Sequence, residues 1–502
     1  MSILNRLVFI IKSTIFLSLV IYTNVYAVSF NSGCSRFLNI DNKSGTNLYM
    51  DIVASGLNET YNFNTQQLDN KFQGGLVDMG DHIIKLKEGK NNPICLNLTS
   101  SQLSNNGRIY ISTDPFSQNM SGVNGQPDLH TYPGLYDKIE FSVKPDGVNN
   151  TTSVDFFGLA SQIWPSNSVN FKKGAKVGFL DGLSTSEVIS NLINQLSAEK
   201  QFYIPNLFLF SKASSASPIA NLRFFSPLTL SNSTAVFGNS SYHNTQWDQK
   251  IRLQLSELKD YFQQHPNFEA SYGSSNWDKF KIIERQGNHG ESLYSILAED
   301  KNSSESITLS DINAVSVAQN KIAYSPSIPT GSAAKLAGLI SMSINRDIID
   351  DPQKWSDVTN YYPGNVGGFM FNSYSKILHN MSIDKKSYAL SFDDFFQQES
   401  SYKNSTDYDT LNIQVLPITH CDQPVNTSIQ KVNGKTIVKW NTPQNDDHAI
   451  SFNIFNKDFE KLQTINGNNQ QYTFNDLLDS KVYINAVCMF NGIKETSFLV
   501  KP

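Results

Sequence analysis

Cysteine is scarce in this chain: there are four in 502 residues, and no two stand in a C-x-x-C pair. Without that spacing the readings as a zinc ribbon or a dithiol redox centre lose their footing. Charge is also sparse, at 17%, with 40 Lys and Arg against 45 Asp and Glu and no basic run. Such a mildly acidic chain offers nothing to a nucleic-acid backbone or an anionic lipid surface. The patterns H-E-x-x-H, G-x-S-x-G and the Walker loop are missing, so zinc peptidase, α/β-hydrolase and nucleotide chemistry lack their starting residues. His130, His243, His379 and His420 are scattered without ligand spacing, so neither a metal nor a cofactor is expected.

Long apolar runs are missing too, except at the start. Residues 1–27 carry Arg6 and Lys12 around an apolar stretch and end on the small residue Ala27. That pattern reads as a secretory signal peptide cut after Ala27, because Lys12 interrupts the run that a membrane anchor would need. No later segment approaches the roughly 18 apolar residues of a span. The mature protein is therefore expected to be secreted and extracellular, with the periplasm as the alternative, free of the membrane, and a monomer. An even cysteine count in an exported chain favours two disulfides. Three pairings of Cys34, Cys95, Cys421 and Cys488 are open, and proximity along the chain favours Cys34 with Cys95 and Cys421 with Cys488.

What is present falls into three textures. From 28 to about 175, and again over about 385–418, short alternating runs such as RFLNI, NLYMDIV, GRIYIS, DKIEFSV and SVDFFGL are separated by turn residues. These predict a β-barrel or sandwich. Residues 176–384 read as a mixed α/β lobe, with helical spacing over 181–196, 247–262, 333–344 and 367–381. Within it the stretch 298–312, rich in Ser and charge, reads as a surface loop, and KSYALSFDDFF reads as a return to strand. Residues 421–502 carry Trp440 on an early strand and the segment LLDSKVYINAV late. They resemble a fibronectin type III β-sandwich, either a spacer or a sugar-binding module.

One hairpin holds an acid on each arm, in DKIEFSVKPDGVNNTTSVDFF, residues 137–157. Alternation puts Lys138, Glu140 and Ser142 on one face of the first arm, opposite Ile139, Phe141 and Val143. If 144–151 form the loop, Val143 meets Thr152 and Glu140 meets Asp155. Directly opposed side chains lie about 4.5–5.5 Å apart at Cβ. A hydrated sheet face would more often set Lys or Thr against Glu. Two neighbouring carboxyls can instead divide into a protonated acid and an ionised base, the division a glycosidase needs.

Five segments in order carry a resemblance: FSV after Glu140, VDFFGL around Asp155, RFFSPL at 223–228, ISMSINRDII at 340–349, and YSKILHNMSIDKKSYALSFDDF at 374–395. They resemble glycoside hydrolase family 64, bacterial β-1,3-glucanases related to thaumatin-like proteins. That resemblance implies a mainly β fold with an α/β lobe, a thaumatin-like barrel or sandwich beside the lobe, and a wide groove for β-1,3-glucan between them. It also implies Glu140 as general acid and Asp155 as general base of an inverting hydrolysis. Asp393 or Asp394 in SFDD becomes a groove candidate. Ser142, where the family has Thr, and Thr152 are candidate sugar contacts, while Trp164 is either a stacking platform or a core plug. The loop between the acids lacks an aromatic, and Ala160 and Ser161 replace a family Pro. These departures keep a second reading open, a thaumatin-like glycan binder without catalysis.

Overall fold

A computed structural model of the chain describes residues 36–496 apart from internal segments, the longest being 71–83, 97–106, 116–134, 199–207, 211–221, 232–245 and 358–371. The expected leader, Cys34 and Asp394 lie outside the described residues, as does the side chain of Cys95.

The chain opens on strands β1 (Arg36–Asn42), β2 (Leu48–Val53), β3 (Glu59–Asn62), β4 (Gln67–Asn70), β5 (Ile84–Leu86) and β6 (Asn91–Leu96). It continues through β7 (Gly107–Ser112), β8 (Tyr136–Phe141), β9 (Val148–Thr151), β10 (Phe156–Phe157), β11 (Ser161–Ser166) and β12 (Val177–Gly178). Helix α1 (Thr185–Ala198) begins the second part, followed by β13 (Phe208–Phe210), β14 (Leu222–Phe225), α2 (Pro227–Ser231) and α3 (Gln246–Gln264). Then come β15 (Ala270–Tyr272), β16 (Ser275–Gln286), β17 (Ser292–Asp300), β18 (Glu305–Ser310), α4 (Ala314–Ala318) and β19 (Ala323–Ser325). Helices α5 (Ser332–Asn345) and α6 (Ser373–Asn380) precede β20 (Ser401–Lys403) and β21 (Thr410–Val415).

Two sheets face each other across the first core. One has the order β12-β11-β21-β1-β6-β4-β3, the other β20-β9-β8-β7-β2-β5. Alternation along each strand sends Leu38, Ile40, Ile163, Leu411 and Ile413 from the first sheet and Met50, Ile52, Ile109, Ile111, Ile139 and Phe141 from the second into one apolar cluster. The late strand β21 lies parallel to β1 and antiparallel to β11, which closes the sandwich with a segment more than 240 residues downstream of β11. This is the mainly β fold expected, built as a two-sheet sandwich.

The mixed lobe has its own core. Ile251, Leu255, Leu258 and Phe262 form one stripe of α3, and they share a cluster with Trp277, Phe280 and Ile282 of β16 and Leu336, Leu339 and Ile340 of α5. Helix α1 starts where Ser184 Oγ accepts from the Glu187 amide at 3.0 Å, a side-chain cap. The stretch expected to be a surface loop is instead a hairpin between β17 and β18, because Ile307 and Leu309 alternate inward. KSYALSFDDFF does not form a strand over its described residues. Tyr388 makes a single parallel bridge to Thr152, and the chain then turns at Asp393.

Past Cys421 lie β22 (Val425–Val432), β23 (Lys435–Asn441), β24 (Ala449–Phe455), β25 (Lys461–Asn466), β26 (Gln471–Phe474), β27 (Tyr483–Phe490) and β28 (Ile493–Thr496). A three-stranded sheet, β22-β23-β26, and a four-stranded one, β25-β24-β27-β28, share a third core around Trp440, Phe452 and Ile484. Cys421 and Cys488 form a disulfide there, the pairing expected from proximity, with Cα atoms 5.6 Å apart.

Candidate active site

The register of β8 differs from expectation. Ile139 pairs with Thr151 and Glu140 with Asn150, so Glu140 does not oppose Asp155. The chain is already turning at Asp146, which is in a left-handed conformation at φ 60°, and β9 starts at Val148, earlier than expected. On a regular continuation of β9, Asn150 and Thr152 would share the face of Glu140, and Asp155 would point away. The strand does not continue: residues 154–155 form a bend before β10. That bend returns Asp155 to the face of Glu140, where it meets Lys138.

Lys138 and Glu140 project together from β8. The ammonium of Lys138 donates to Asp155 Oδ2, with the lysine side chain 2% exposed and that of Asp155 30% exposed. Glu140 is 19% exposed; Arg108 Nη2 of β7 lies 3.6 Å from its Oε1, and Asn150 Nδ2 donates to its Oε2 at 3.1 Å. Arg108 is the partner because it sits directly across from Glu140 in the ladder, as Tyr110 sits across from Lys138. Burial pushes the Tyr110 phenol up to about 12, and the charges of Asp155 and Glu140 add to this while Arg108 opposes it. Tyr110 is therefore neutral at neutral pH.

Cover by the lobe falls off along this face. Ser112 and Tyr136 form a buried row, Tyr110 and Lys138 a second, and the row of Arg108 and Glu140 is half-buried. Tyr110, Tyr136, Phe156 and Phe157 belong to the lobe's core rather than the sandwich's. The two acids thus stand where the lobe's packing on the sheet ends.

The segment that carries Asp155 is held at several points. Ser226 N and Thr229 Oγ1 donate to the Asp155 carbonyl at 3.0 and 2.6 Å. They come from RFFSPL and the residue after it, where β14 pairs with β10, Ser226 caps α2 by accepting from the Thr229 amide, and Pro227 takes the first helical position. Tyr374 of α6 donates to the Ser153 carbonyl at 2.7 Å. From the other side, Asp137 accepts from the Gly158 and Leu159 amides at 3.1 and 3.0 Å and from the Lys138 amide at 2.7 Å. Burial pushes Asp137 up to about 7, against those three donors and Lys138.

Other expected contacts lie elsewhere. Trp164 is on β11, whose neighbour Ile163 enters the sandwich core, so Trp164 faces out from the seven-stranded sheet, on the opposite side of the sandwich from Glu140. There it carries Lys176 over its ring, 5.0 Å from the centroid, and serves neither as core plug nor as platform beside the acids. Asp393 is 0% exposed; its Oδ2 accepts from the Ala389 and Leu390 amides at 2.9 Å and lies 3.3 Å from His379 Nε2, so it shapes a turn rather than lining a groove. Burial alone would lower His379, yet Asp393 and the Lys385 carbonyl raise it on balance. Ser142 and Thr152 are buried, Ser142 beneath Asn404, whose Nδ2 donates to its carbonyl at 2.7 Å, and Thr152 at the bridge to Tyr388. Neither presents a sugar-facing hydroxyl.

The sequence reading missed Arg108, Tyr110, Asn150 and Asp137 in this cluster. Alternation already set Lys138 beside Glu140. Arg108 and Tyr110 needed the register of GRIYIS, and the Pro-Asp-Gly signature would have supplied Asn150.

The family profile of the β-1,3-glucanases, glycoside hydrolase family 64, matches residues 38–415. Among solved structures the chain is similar to a family 64 β-1,3-glucanase domain from Clostridium beijerinckii, at 15% identity over 77% of this chain and 98% of that one, with a TM-score of 0.49. It is also similar to a laminaripentaose-producing β-1,3-glucanase in complex with laminaritetraose, at 15% identity over 77% and 99%, TM-score 0.49. A third is the laminaripentaose-producing enzyme of Paenibacillus barengoltzii, at 17% identity over 77% and 75%, TM-score 0.40. No curated protein sequence matches the chain. With residues 38–415 matched to that profile, the chain belongs to the β-1,3-glucanase family, glycoside hydrolase family 64.

Proposed function

We propose that this glycoside hydrolase is a secreted, monomeric enzyme that cleaves β-1,3-glucan by single displacement, with Glu140 as general acid and Asp155 as general base. The observation that carries the reading is the pair of partly exposed carboxylates at the margin of the lobe, each beside its own cation. Kinship with thaumatin-like proteins is part of the same proposal.

The division of roles follows from the cations. A buried ammonium at hydrogen-bond contact is complementary to an ionised carboxylate, which suits Asp155 to activating a water. Arg108 is 27% exposed and beyond hydrogen-bond distance of Glu140, a looser contact than the one Lys138 makes with Asp155, and Glu140 takes the part of the acid. Asp155 is held by Lys138 on the same face as Glu140, as single displacement requires of two carboxyls that flank a water.

In the proposed reaction Glu140 donates its proton to the glycosidic oxygen as the C–O bond breaks. Asp155 takes a proton from water, whose oxygen attacks the anomeric carbon from the opposite face. Bonds and protons then balance to give one reducing end of inverted configuration. Proton NMR of a soluble β-1,3-glucan with wild type and Glu140→Gln tests this. Initial α-anomer from the wild type, and turnover at least 100-fold lower in a folded Glu140→Gln, is expected. An initial β-anomer would overturn inversion, and an unimpaired variant would overturn the acid. The alternative, glycan binding without turnover, draws on the ion pairing of both acids, and any release of reducing ends by the wild type excludes it.

A further inference from the structure

We propose that Lys138 is a positioning residue of the reaction: it holds the Asp155 carboxylate on the sheet face and assigns Asp155, rather than Glu140, to the work of the base. This rests on the reading of Glu140 and Asp155 as the catalytic pair. Alternation places Lys138 two residues before Glu140 on β8, so one strand sets both carboxylates, one directly and one through an ammonium. The lysine stem is sealed beneath the lobe, with Nζ 5.9 Å from the centre of the Phe156 ring. An ammonium buried to that degree is strongly unfavourable unless an anion meets it.

The groups facing this ammonium can be named from each surrounding element. Asp155 comes from the bend before β10, Tyr110 from directly across β7, and Asp137 and Glu140 from β8 itself. Arg108 on β7 is the second cation of the cluster and interacts electrostatically with both Glu140 and Asp155. Asp155 alone takes a hydrogen bond from Lys138 among the described contacts, and Asp137 spends its oxygens on the backbone amides. Of the two acids, only Asp155 therefore has a fully desolvated cation locked to it. Its carbonyl is fixed separately by Ser226 and Thr229, so the peptide cannot swing away when the side chain is released. The specific task left to Lys138 is the direction of the carboxylate and the compensation of its charge.

The test compares wild type, Lys138→Met, Lys138→Arg and Asp155→Asn on a soluble β-1,3-glucan, with kcat and KM followed across the acid and neutral range and folding checked by circular dichroism. Lys138→Met keeps the stem and loses the charge. It is expected to lower kcat by about 100-fold with KM little changed, the size of effect that a misplaced reacting group produces. The acid limb of its kcat/KM profile should move to higher pH, because a carboxylate loses its neighbouring cation. Lys138→Arg should recover most of the rate and return the limb to the wild-type position. If Lys138→Met does not fold, Lys138→Gln carries the same expectations.

A folded, uncharged variant with the wild-type acid limb would overturn the inference, as would an Arg variant that restores neither rate nor limb. The premise fails separately: an Asp155→Asn enzyme as active as wild type would remove Asp155 from the reaction and Lys138 with it. Inactive Asp155→Asn together with an unmoved limb in Lys138→Met would leave the function standing and remove Lys138 alone.

Discussion

At the scale of single residues, Glu140 and Asp155 carry the same charge but sit in different dielectric surroundings. Asp155 compensates a lysine that is 2% exposed, whereas Glu140 faces an arginine 27% exposed at 3.6 Å. Removing one partner of a buried pair leaves an uncompensated charge, at a cost of about 3–5 kcal/mol, while solvated pairs contribute about 0–1 kcal/mol. The two amide variants should then separate in stability although both lose turnover. By urea unfolding, Asp155→Asn is expected to lose about 3 kcal/mol or more, and Glu140→Gln about 1 kcal/mol or less. Equal losses would mean that Lys138 finds another anion.

At the scale of elements, β8 is used on both faces. Its outward residues hold the acids, and its inward residues Ile139 and Phe141 are part of the sandwich core, with Asp137 between them and the amides of residues 158–159. The chain after Asp155 must approach β8 closely to make those bonds. Gly158 allows it, because a Cβ there would lie 1.9 Å from the Tyr136 carbonyl oxygen. Gly158→Ala therefore has to push the segment off β8, with a stability cost of about 1–3 kcal/mol. The larger effect should be on rate, with kcat about 100-fold lower as Asp155 is displaced from its place beside Lys138. Steady-state kinetics of the folded variant checks this, and an unchanged kcat would show that Lys138 and the Ser226 and Thr229 contacts alone hold the base.

At the scale of the whole molecule, three apolar clusters among the described residues divide the labour. The sandwich core sets the sheet, the lobe core covers one end of its outer face, and the third core lies wholly in residues 421–488. The disulfide closes a loop with a sequence separation of 67 inside that last unit. Loss of a crosslink of this span removes about 4 kcal/mol in the chain-entropy account. A double variant, Cys421→Ser with Cys488→Ser, should lower the unfolding transition of the C-terminal sandwich by that order and leave kcat on soluble glucan unchanged. Calorimetry beside an activity assay reads both. A parallel loss of kcat would mean that the module supports the acids' sheet.

Period and spacing in the sequence were enough to determine the strand-rich first part, the helices, the third sandwich, and the shared face of Lys138 and Glu140, and proximity favoured the Cys421–Cys488 disulfide among three open pairings. Each depends on contacts local to an element or on alternation, which the chain carries in its own order. The order of five short motifs also determined the family, which the profile over residues 38–415 bears out. The partner of Glu140 was decided by the register of β8 on β9, and the face of Asp155 by a bend that contacts from Ser226, Thr229, Tyr374 and Asp137 help to hold in place. Trp164 and Asp393 went to the outer side of the sandwich and to a buried turn for the same reason. Alternation says which residues share a face, but which face meets which neighbour depends on how sheets and lobe pack, and that is settled between segments far apart in the chain.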